Sequence, residues 1–243
     1  MINIENLFVG YGEKNIIKNL SLRIDGGFVG ILGPNGSGKT TLLKSISGIL
    51  KPLSGSVKIF KKDIYKIARR EVSEIVTMIS QDFIPMYDYT ALDVVKMAFS
   101  GHGFFPSREE DELAIQALSN VGVKHLKDRM FFTLSGGEKR LVMIARALAQ
   151  GSKVILVDEL ELHLDPPHKR RIAETLKKIS RSGKIVVSVF HDIQLAFSFS
   201  DRFIGINSGK VVFDSKSPRP EDLENLFDMK FREVDDVILP WYR

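Results

Sequence analysis

Three stretches of this sequence hold residues whose types and spacing suit phosphate chemistry. Gly33-Pro34-Asn35-Gly36-Ser37-Gly38-Lys39-Thr40 fits G-x-x-x-x-G-K-[ST], a glycine-rich phosphate loop. Glycines let backbone N–H groups turn toward an anion, and a helix starting there adds partial positive charge. In such a loop Lys39 can reach β- and γ-phosphates and the Thr40 hydroxyl can ligate Mg2+. The second stretch, Leu134-Ser135-Gly136-Gly137-Glu138, precedes a helical pattern through Leu141, Ile144, Ala145 and Leu148. It reads either as a second anion site or as a capping box joining Ser135 to Glu138. The third is the apolar run Lys153–Val157 ending in Asp158-Glu159. Carboxylates at the end of a buried strand are costly without a partner. Asp158 is placed to hold Mg2+ and Glu159 to polarise an attacking water. His191 ends another apolar run, 184–190, and is either structural or functional there.

The elements that must position these groups follow from periodicity. The phosphate loop lies between a short apolar strand, Phe28–Leu32, and a helix through Thr41–Ile46. Ahead of it, Ile2, Ile4, Leu7 and Val9, and then Leu20, Leu22 and Ile24, alternate as strands around a turn at Tyr11–Asn15. Tyr11 either fills a turn or core position or offers its ring to a base. Further strands are predicted at 56–60 and 75–80, the latter ending at Gln81, where a polar side chain can face a ligand at the carboxyl ends of the strands. From 82 to 133 the pattern becomes helical. Thr90 with Asp93 and Ser107 with Glu110 open two helices, over 91–99 and from about 108 to Gly122, the second with Leu113, Ala117, Leu118 and Val121 on one face. Phe83, Ile84, Met86, Tyr87, Tyr89, Phe104 and Phe105 form either that lobe's core or a docking surface. A helix from Pro166 and a hairpin across Ser208-Gly209 follow, and no chemistry is legible beyond Ser217.

Composition narrows the function classes. A chain of 243 residues with 44% hydrophobic and 27% charged residues is that of an ordinary globular protein. No apolar run approaches the ~18 residues of a membrane span, and the N-terminus lacks the pattern of a secretory signal. The absence of cysteine excludes disulfides and thiolate metal sites. A net charge of +5 suits an anionic ligand or a lipid-facing surface, and no nucleic-acid partner is expected.

The phosphate loop, Leu134–Glu138, Asp158-Glu159 and strand-end His191, in this order and spacing, resemble those of ATP-binding cassette (ABC) ATPases over nearly the whole chain. The resemblance implies an α/β fold: a P-loop NTPase core with an N-terminal antiparallel β subdomain, residues 1–81 and 151–243, and an inserted helical signature subdomain, residues 82–150. It implies that Tyr11 stacks adenine and that Asn35, Gly36, Ser37, Gly38, Lys39, Thr40 and Thr41 hold ATP. Thr40, Gln81 and Asp158 would hold Mg2+, with Gln81 also facing a transmembrane partner. Ser135, Gly136 and Gly137 would be the signature motif, Glu159 the catalytic carboxylate, Asp165 the end of the D-loop and His191 the switch histidine. Two copies would close head to tail, one phosphate loop and the other's signature gripping the same γ-phosphate. The implied setting is cytoplasmic, peripheral on the inner membrane face, against transmembrane permease subunits fed by an extracytoplasmic binding protein. Tyr89–Met97, and His163-Leu164-Asp165 with His168, resemble importers for iron–siderophore, haem and cobalamin. Three stretches depart from the family pattern: Leu160-Glu161-Leu162 for Pro-Thr-Ser, Lys139-Arg140-Leu141 for Arg-Gln-Arg, and Ala98-Phe99-Ser100 where a Gly-Arg pair is common. The alternatives are a soluble ABC ATPase on nucleic acid or ribosomes, a module that binds ATP without turnover, and an exporter subunit. The first lacks its long coiled coil or second cassette here, the second is disfavoured by Glu159 with His191, and the third by the absence of fused membrane helices.

Overall fold

The computed structural model describes residues 1–12, 14–80, 83, 85–99, 108–159, 164–234 and 237–241. The N-terminal alternation becomes β1 (Ile2–Tyr11) and β2 (Lys14–Ile24), antiparallel, with Ile2 opposite Ile24 and Tyr11 opposite Lys14. β3 (Phe28–Leu32), buried at every position, runs into the glycine loop and α1 (Lys39–Ile46). β4 (Ser54–Ile59) and β5 (Lys62–Asp63) complete a four-stranded antiparallel sheet in the order β2-β1-β4-β5. α2 (Arg69–Ile75), which buries only Val72 and Ile75, has no counterpart in the sequence reading. β6 (Val76–Ile79) takes the rest of the apolar run expected at 75–80.

Next come α3 (Ala91–Lys96), α4 (Arg108–Asn120) and α5 (Gly136–Ala149), which share one hydrophobic cluster. The Thr90–Asp93 box forms: Asp93 N donates to Thr90 Oγ1 at 3.1 Å and Thr90 N to Asp93 Oδ2 at 3.0 Å. α3 ends at Lys96 and tightens into a 3-10 turn over Met97–Phe99, so the α-helix is shorter than the 91–99 expected. In α4 the buried residues are Ala114, Ala117 and Leu118, continuing to Val121, while Leu113 is exposed. The i, i+3, i+4, i+7 series starts at Ala114, which puts Leu113 outside the apolar face. Ser107 lies outside the described residues. Among the large apolar residues of this lobe, Phe83 and Tyr89 pack on the core, whereas Met86 is 88% exposed and Tyr87 67%. Ile84, Phe104 and Phe105 are outside the described residues.

The chain then returns to the sheet through β7 (Val154–Val157), α6 (Pro166–Arg181), β8 (Ile185–Val189), α7 (Ile193–Phe199), β9 (Arg202–Asn207) and β10 (Lys210–Ser215). The segment after Ser217 folds as α8 (Pro220–Phe227) and a hairpin of β11 (Phe231–Val234) with β12 (Val237–Pro240). The six-stranded sheet has the order β10-β9-β3-β8-β7-β6, antiparallel only between β10 and β9. Both its faces are covered, and the pleat divides each strand between two cores. Val154 and Leu156 of β7 join the cluster that holds α1 and the antiparallel sheet, while Ile155 and Val157 join the one that holds α5 and α6. That double burial explains why the strands read as continuous apolar runs.

Register sets the edge where chemistry can occur. Ile79 pairs with Val157 and Ile31 with Val189, and the ladder extends one step as Asp158 N donates to Ile79 O and Phe190 N to Ile31 O, both at 3.0 Å. Asp158, Glu159, His191 and the glycine loop therefore leave the sheet at its carboxyl end, where open α/β sheets bind ligands. Phe28, fully buried at the start of β3, packs against the Phe190 ring at 5.9 Å. Phe28→Ala is expected to lower unfolding free energy by about 3–5 kcal/mol in urea denaturation, the cost of a large core cavity.

Candidate active site

The glycine loop has its shape because three of its residues need no Cβ. Gly36 and Gly38 sit at φ 75° and 106°, and Gly33 at 154°. A Cβ on Gly38 would lie 2.9 Å from Ile17 Cδ1, and one on Gly33 would strike the Ile206 carbonyl. The loop is braced from outside by the β9–β10 turn. Gly209 N donates to Ser37 O at 2.9 Å, and Lys18 N of β2 donates to Gly209 O at 3.2 Å. Gly209 itself, at φ 76°, lies so close to Ile16 that a Cβ would collide with its carbonyl. Sequence reasoning reads Ser208-Gly209 only as a hairpin; its role as a brace depends on a contact between distant segments.

Above the loop lies a cavity of about 420 Å3 lined by Tyr11, Ile16, Asn35, Gly36, Gly38, Lys39, Thr40, Thr41, Glu159 and His191. Tyr11, five residues of the glycine loop and its helix start, Thr41, Glu159 and His191, all singled out from the sequence, are thus brought to one cavity. Tyr11, at the end of β1, is 49% exposed, which excludes a core position for its ring. Ser37 is buried beneath the loop, and its Oγ has no hydrogen-bond partner. Gln81 lies outside the described residues.

Lys39 and Asp158 are both nearly inaccessible. Lys39 Nζ donates to Gly33 O and Pro34 O, each at 2.8 Å. Burial pulls its pKa down, and the nearby Glu159 and Asp158 carboxylates work the other way. Thr40 Oγ1 donates to Asp158 Oδ1 at 3.0 Å. Burial pushes the Asp158 pKa up, aided by Glu159 and opposed by the Thr40 hydrogen bond, Lys44 and Arg140. A carboxylate short of positive charge, paired with a hydroxyl oxygen, is the donor set a hard cation takes. Among the described residues no group of three or more His, Cys, Asp or Glu side chains could hold a metal. Among the described residues, Thr40 and Asp158 would offer such an ion their oxygens, with phosphate and water in its shell, as is usual for Mg2+.

Glu159 has the left-handed backbone, φ 50°, which costs a non-glycine residue about 1–2 kcal/mol. In that conformation its Oε1 lies 3.2 Å from His191 Nε2. The Arg140 guanidinium reaches from α5 to this corner: Nη1 donates to Ser80 O at 3.1 Å, Nη2 to Asp158 O at 3.2 Å and also to Glu159 O. In the sequence Arg140 is legible only as part of a departure from the family pattern.

Ser135, Gly136 and Gly137 do not line this cavity. They form the N-terminus of α5, with Ser135 and Gly136 exposed. The capping box forms, since Glu138 N donates to Ser135 Oγ at 3.3 Å and Ser135 N to Glu138 Oε2 at 2.8 Å. Gly137 is packed against the His168 ring, 2.6 Å from Cδ2 to where a Cβ would be. His168 is in turn held by Asp165, the N-cap of α6.

Residues 17–161 match the ABC transporter family. The ferric enterobactin transport ATP-binding protein FepC of Escherichia coli (strain K12) is 32% identical over 243 residues, covering 96% of this chain and 89% of its own. The hemin import ATP-binding protein HmuV of Rhodopseudomonas palustris (strain BisA53) is 33% identical, covering 94% of this chain and 90% of its own. Among solved structures, a chain of a metal-chelate type ABC transporter in an inward-facing conformation superposes with a TM-score of 0.84 at 26% identity, covering 100% of this chain and 98% of that one. An ATP-binding cassette solved as a dimer with ADP and Pi superposes with a TM-score of 0.78 at 32% identity, covering 90% of this chain and 100% of that one.

Two outcomes test this geometry. Gly209→Ala is expected to displace the loop and weaken binding of a fluorescent ATP analogue by about tenfold, ~1.4 kcal/mol, with far-ultraviolet circular dichroism unchanged. For Asp158, a folded-state pKa above the unfolded one means that its ionised form costs stability above that pKa, and the cost vanishes at acid pH. Asp158→Asn should therefore melt higher than the wild type without nucleotide at pH 8. The gap should close as pH falls toward the ordinary aspartate pKa, about 4.

Proposed function

Because this chain belongs to the ABC transporter family and is an ATPase of that family, we propose that it powers a membrane importer of an iron chelate, haem or cobalamin. In this reading residues 1–81 and 151–243 form the nucleotide-binding core with its β subdomain, and 82–150 the helical signature subdomain. The names of the similar importer subunits support the transport role, as does the Tyr89–Met97 segment. No described helix is long and apolar enough to cross a membrane. The subunit works from the cytoplasmic face as a peripheral partner of a permease that receives cargo from an extracytoplasmic binding protein. Met86 and Tyr87, both exposed and a few positions after Gln81 in the sequence, supply apolar surface for the permease.

ATP binds with adenine on Tyr11 and its phosphates in the loop of Asn35, Gly36, Ser37, Gly38 and Lys39, ahead of Thr40 and Thr41. Lys39 exchanges its two carbonyl contacts for phosphate oxygens. Thr40, Asp158 and Gln81 would hold Mg2+, which would supply positive charge to the phosphates. Glu159 polarises the attacking water, oriented by His191. Ser135, Gly136 and Gly137 of a second, antiparallel copy close on the γ-phosphate, using the N-terminus of α5. The observation that carries this reading is the approach of Glu159 to His191 on the wall of the cavity floored by the glycine loop. Glu159→Gln is expected to keep ATP affinity, to reduce turnover by about 10²–10⁴-fold, and to run as a dimer in gel filtration with ATP. A monomer under those conditions would overturn the reading.

A further inference from the structure

We propose that Arg140 is a positioning residue that ties the placement of Glu159 to the signature end of α5, so that one nucleotide site of the dimer senses the other. The inference rests on the head-to-tail reading above. Arg140 is not among the residues lining the cavity, so its influence passes through the groups it holds.

Those groups are unusual in kind. All three acceptors are main-chain carbonyls at the ends of neighbouring strands: Ser80 after β6, and Asp158 and Glu159 after β7. The carbonyls of Asp158 and Glu159 flank the N–Cα bond of Glu159, whose φ of 50° is the left-handed one. A single Nη2 donating to both holds that torsion, and with it the direction in which the Glu159 side chain meets His191. The planar fork is what permits three acceptors at once; a single ammonium or amide cannot span them equally. Burial works against the Arg140 charge, and the Asp158 and Glu159 carboxylates favour it. The guanidinium thus stands as a fixed positive charge behind both acids.

The other end of the link is α5 itself. Arg140 sits about one helical turn from Ser135–Gly137, on a helix whose Leu141, Val142, Ile144 and Ala145 are packed in the core. α5 runs unbroken for 14 residues from its cap at Ser135, so the signature end and Arg140 share one helix. Docking the signature onto the second copy's nucleotide therefore shifts the guanidinium, and the guanidinium carries Glu159 and the strand end at Ser80 with it. Each copy's catalytic carboxylate is set by the phosphate that the opposite copy holds.

The test compares wild type, Arg140→Ala and Arg140→Lys for turnover against ATP concentration, affinity for a fluorescent ATP analogue and melting temperature. It adds Glu159→Gln with and without Arg140→Ala in gel filtration with ATP. Arg140→Ala is expected to bind the analogue within about twofold of wild type while kcat falls about tenfold or more and the Hill coefficient drops toward 1. Arg140→Lys recovers part of kcat, since an ammonium still donates to carbonyls. The Glu159→Gln/Arg140→Ala protein still dimerises on ATP. Unchanged kcat and Hill coefficient would overturn the proposal. So would equal losses of affinity and turnover without recovery in Arg140→Lys, or a double variant that stays monomeric while Glu159→Gln alone dimerises. Glu159→Gln remaining monomeric by itself would instead overturn the dimer reading, and this proposal with it.

Discussion

A buried carboxylate at the carboxyl end of a parallel sheet constrains everything around it. Asp158 is nearly inaccessible, and its burial alone disfavours the charge that its position after β7 would use. The Thr40 hydroxyl, the Lys44 and Arg140 cations and the nearby Lys39 ammonium are what make that charge tolerable. Dependence runs in both directions, because Lys39 is buried too and the two acids support its ionised form. Removing one of the cations from this set would leave the buried acids without their compensation. The arrangement is therefore rigid as a group, and it accepts a further cation or a polyanion only as an exchange of partners. Lys39 illustrates this: its hold on the Gly33 and Pro34 carbonyls is a contact that phosphate oxygens can replace.

Backbone geometry supplies the precision that charge alone lacks. The parallel registers of β3, β8, β7 and β6 deliver four strand ends to one edge. The phosphate loop is clamped between that edge and two distant segments, the β9–β10 turn and β2. Steric limits at Gly33, Gly38 and Gly209 leave no room for slack, since each has a neighbour where a side chain would begin. Glu159 adds a local strain, held by bonds to the carbonyls around it. Strain of this sort persists only where the surroundings over-determine it.

How much of this is legible in the sequence depends on range. The strands of the parallel sheet, the phosphate loop and the strand-end Asp158, Glu159 and His191 all announce themselves locally, by apolar runs and by motif. Capping at Thr90 and at Ser135 is likewise a three-residue signal, and both boxes form. What escapes is either amphipathic too weakly, as in α2, or fixed by contacts between distant residues. Leu113 falls off the core face because the helix phase is set by Ala114 packing, a detail that side-chain size hides. Arg140 reaches Ser80 and Glu159, and Gly209 braces Ser37, across separations that no local pattern encodes.

The two helix ends that the proposed function assigns to phosphate are not equivalent, and the difference bears on how a dimer would assemble. The glycine loop opens on a cavity flanked by a buried ammonium. The N-terminus of α5 is exposed and carries its own carboxylate, Glu138, whose pKa is held down mainly by the Ser135 backbone N–H and then by its hydroxyl. An anionic cap stabilises the helix by opposing its positive end, and it repels a second anion arriving there. A free phosphate would therefore gain little at α5. A γ-phosphate already anchored by its nucleotide in an opposing glycine loop arrives at high effective concentration and oriented, which offsets that repulsion. On the proposed reading the weakness of the α5 site in isolation is what makes closure conditional: the helix end engages only when another copy presents a filled loop.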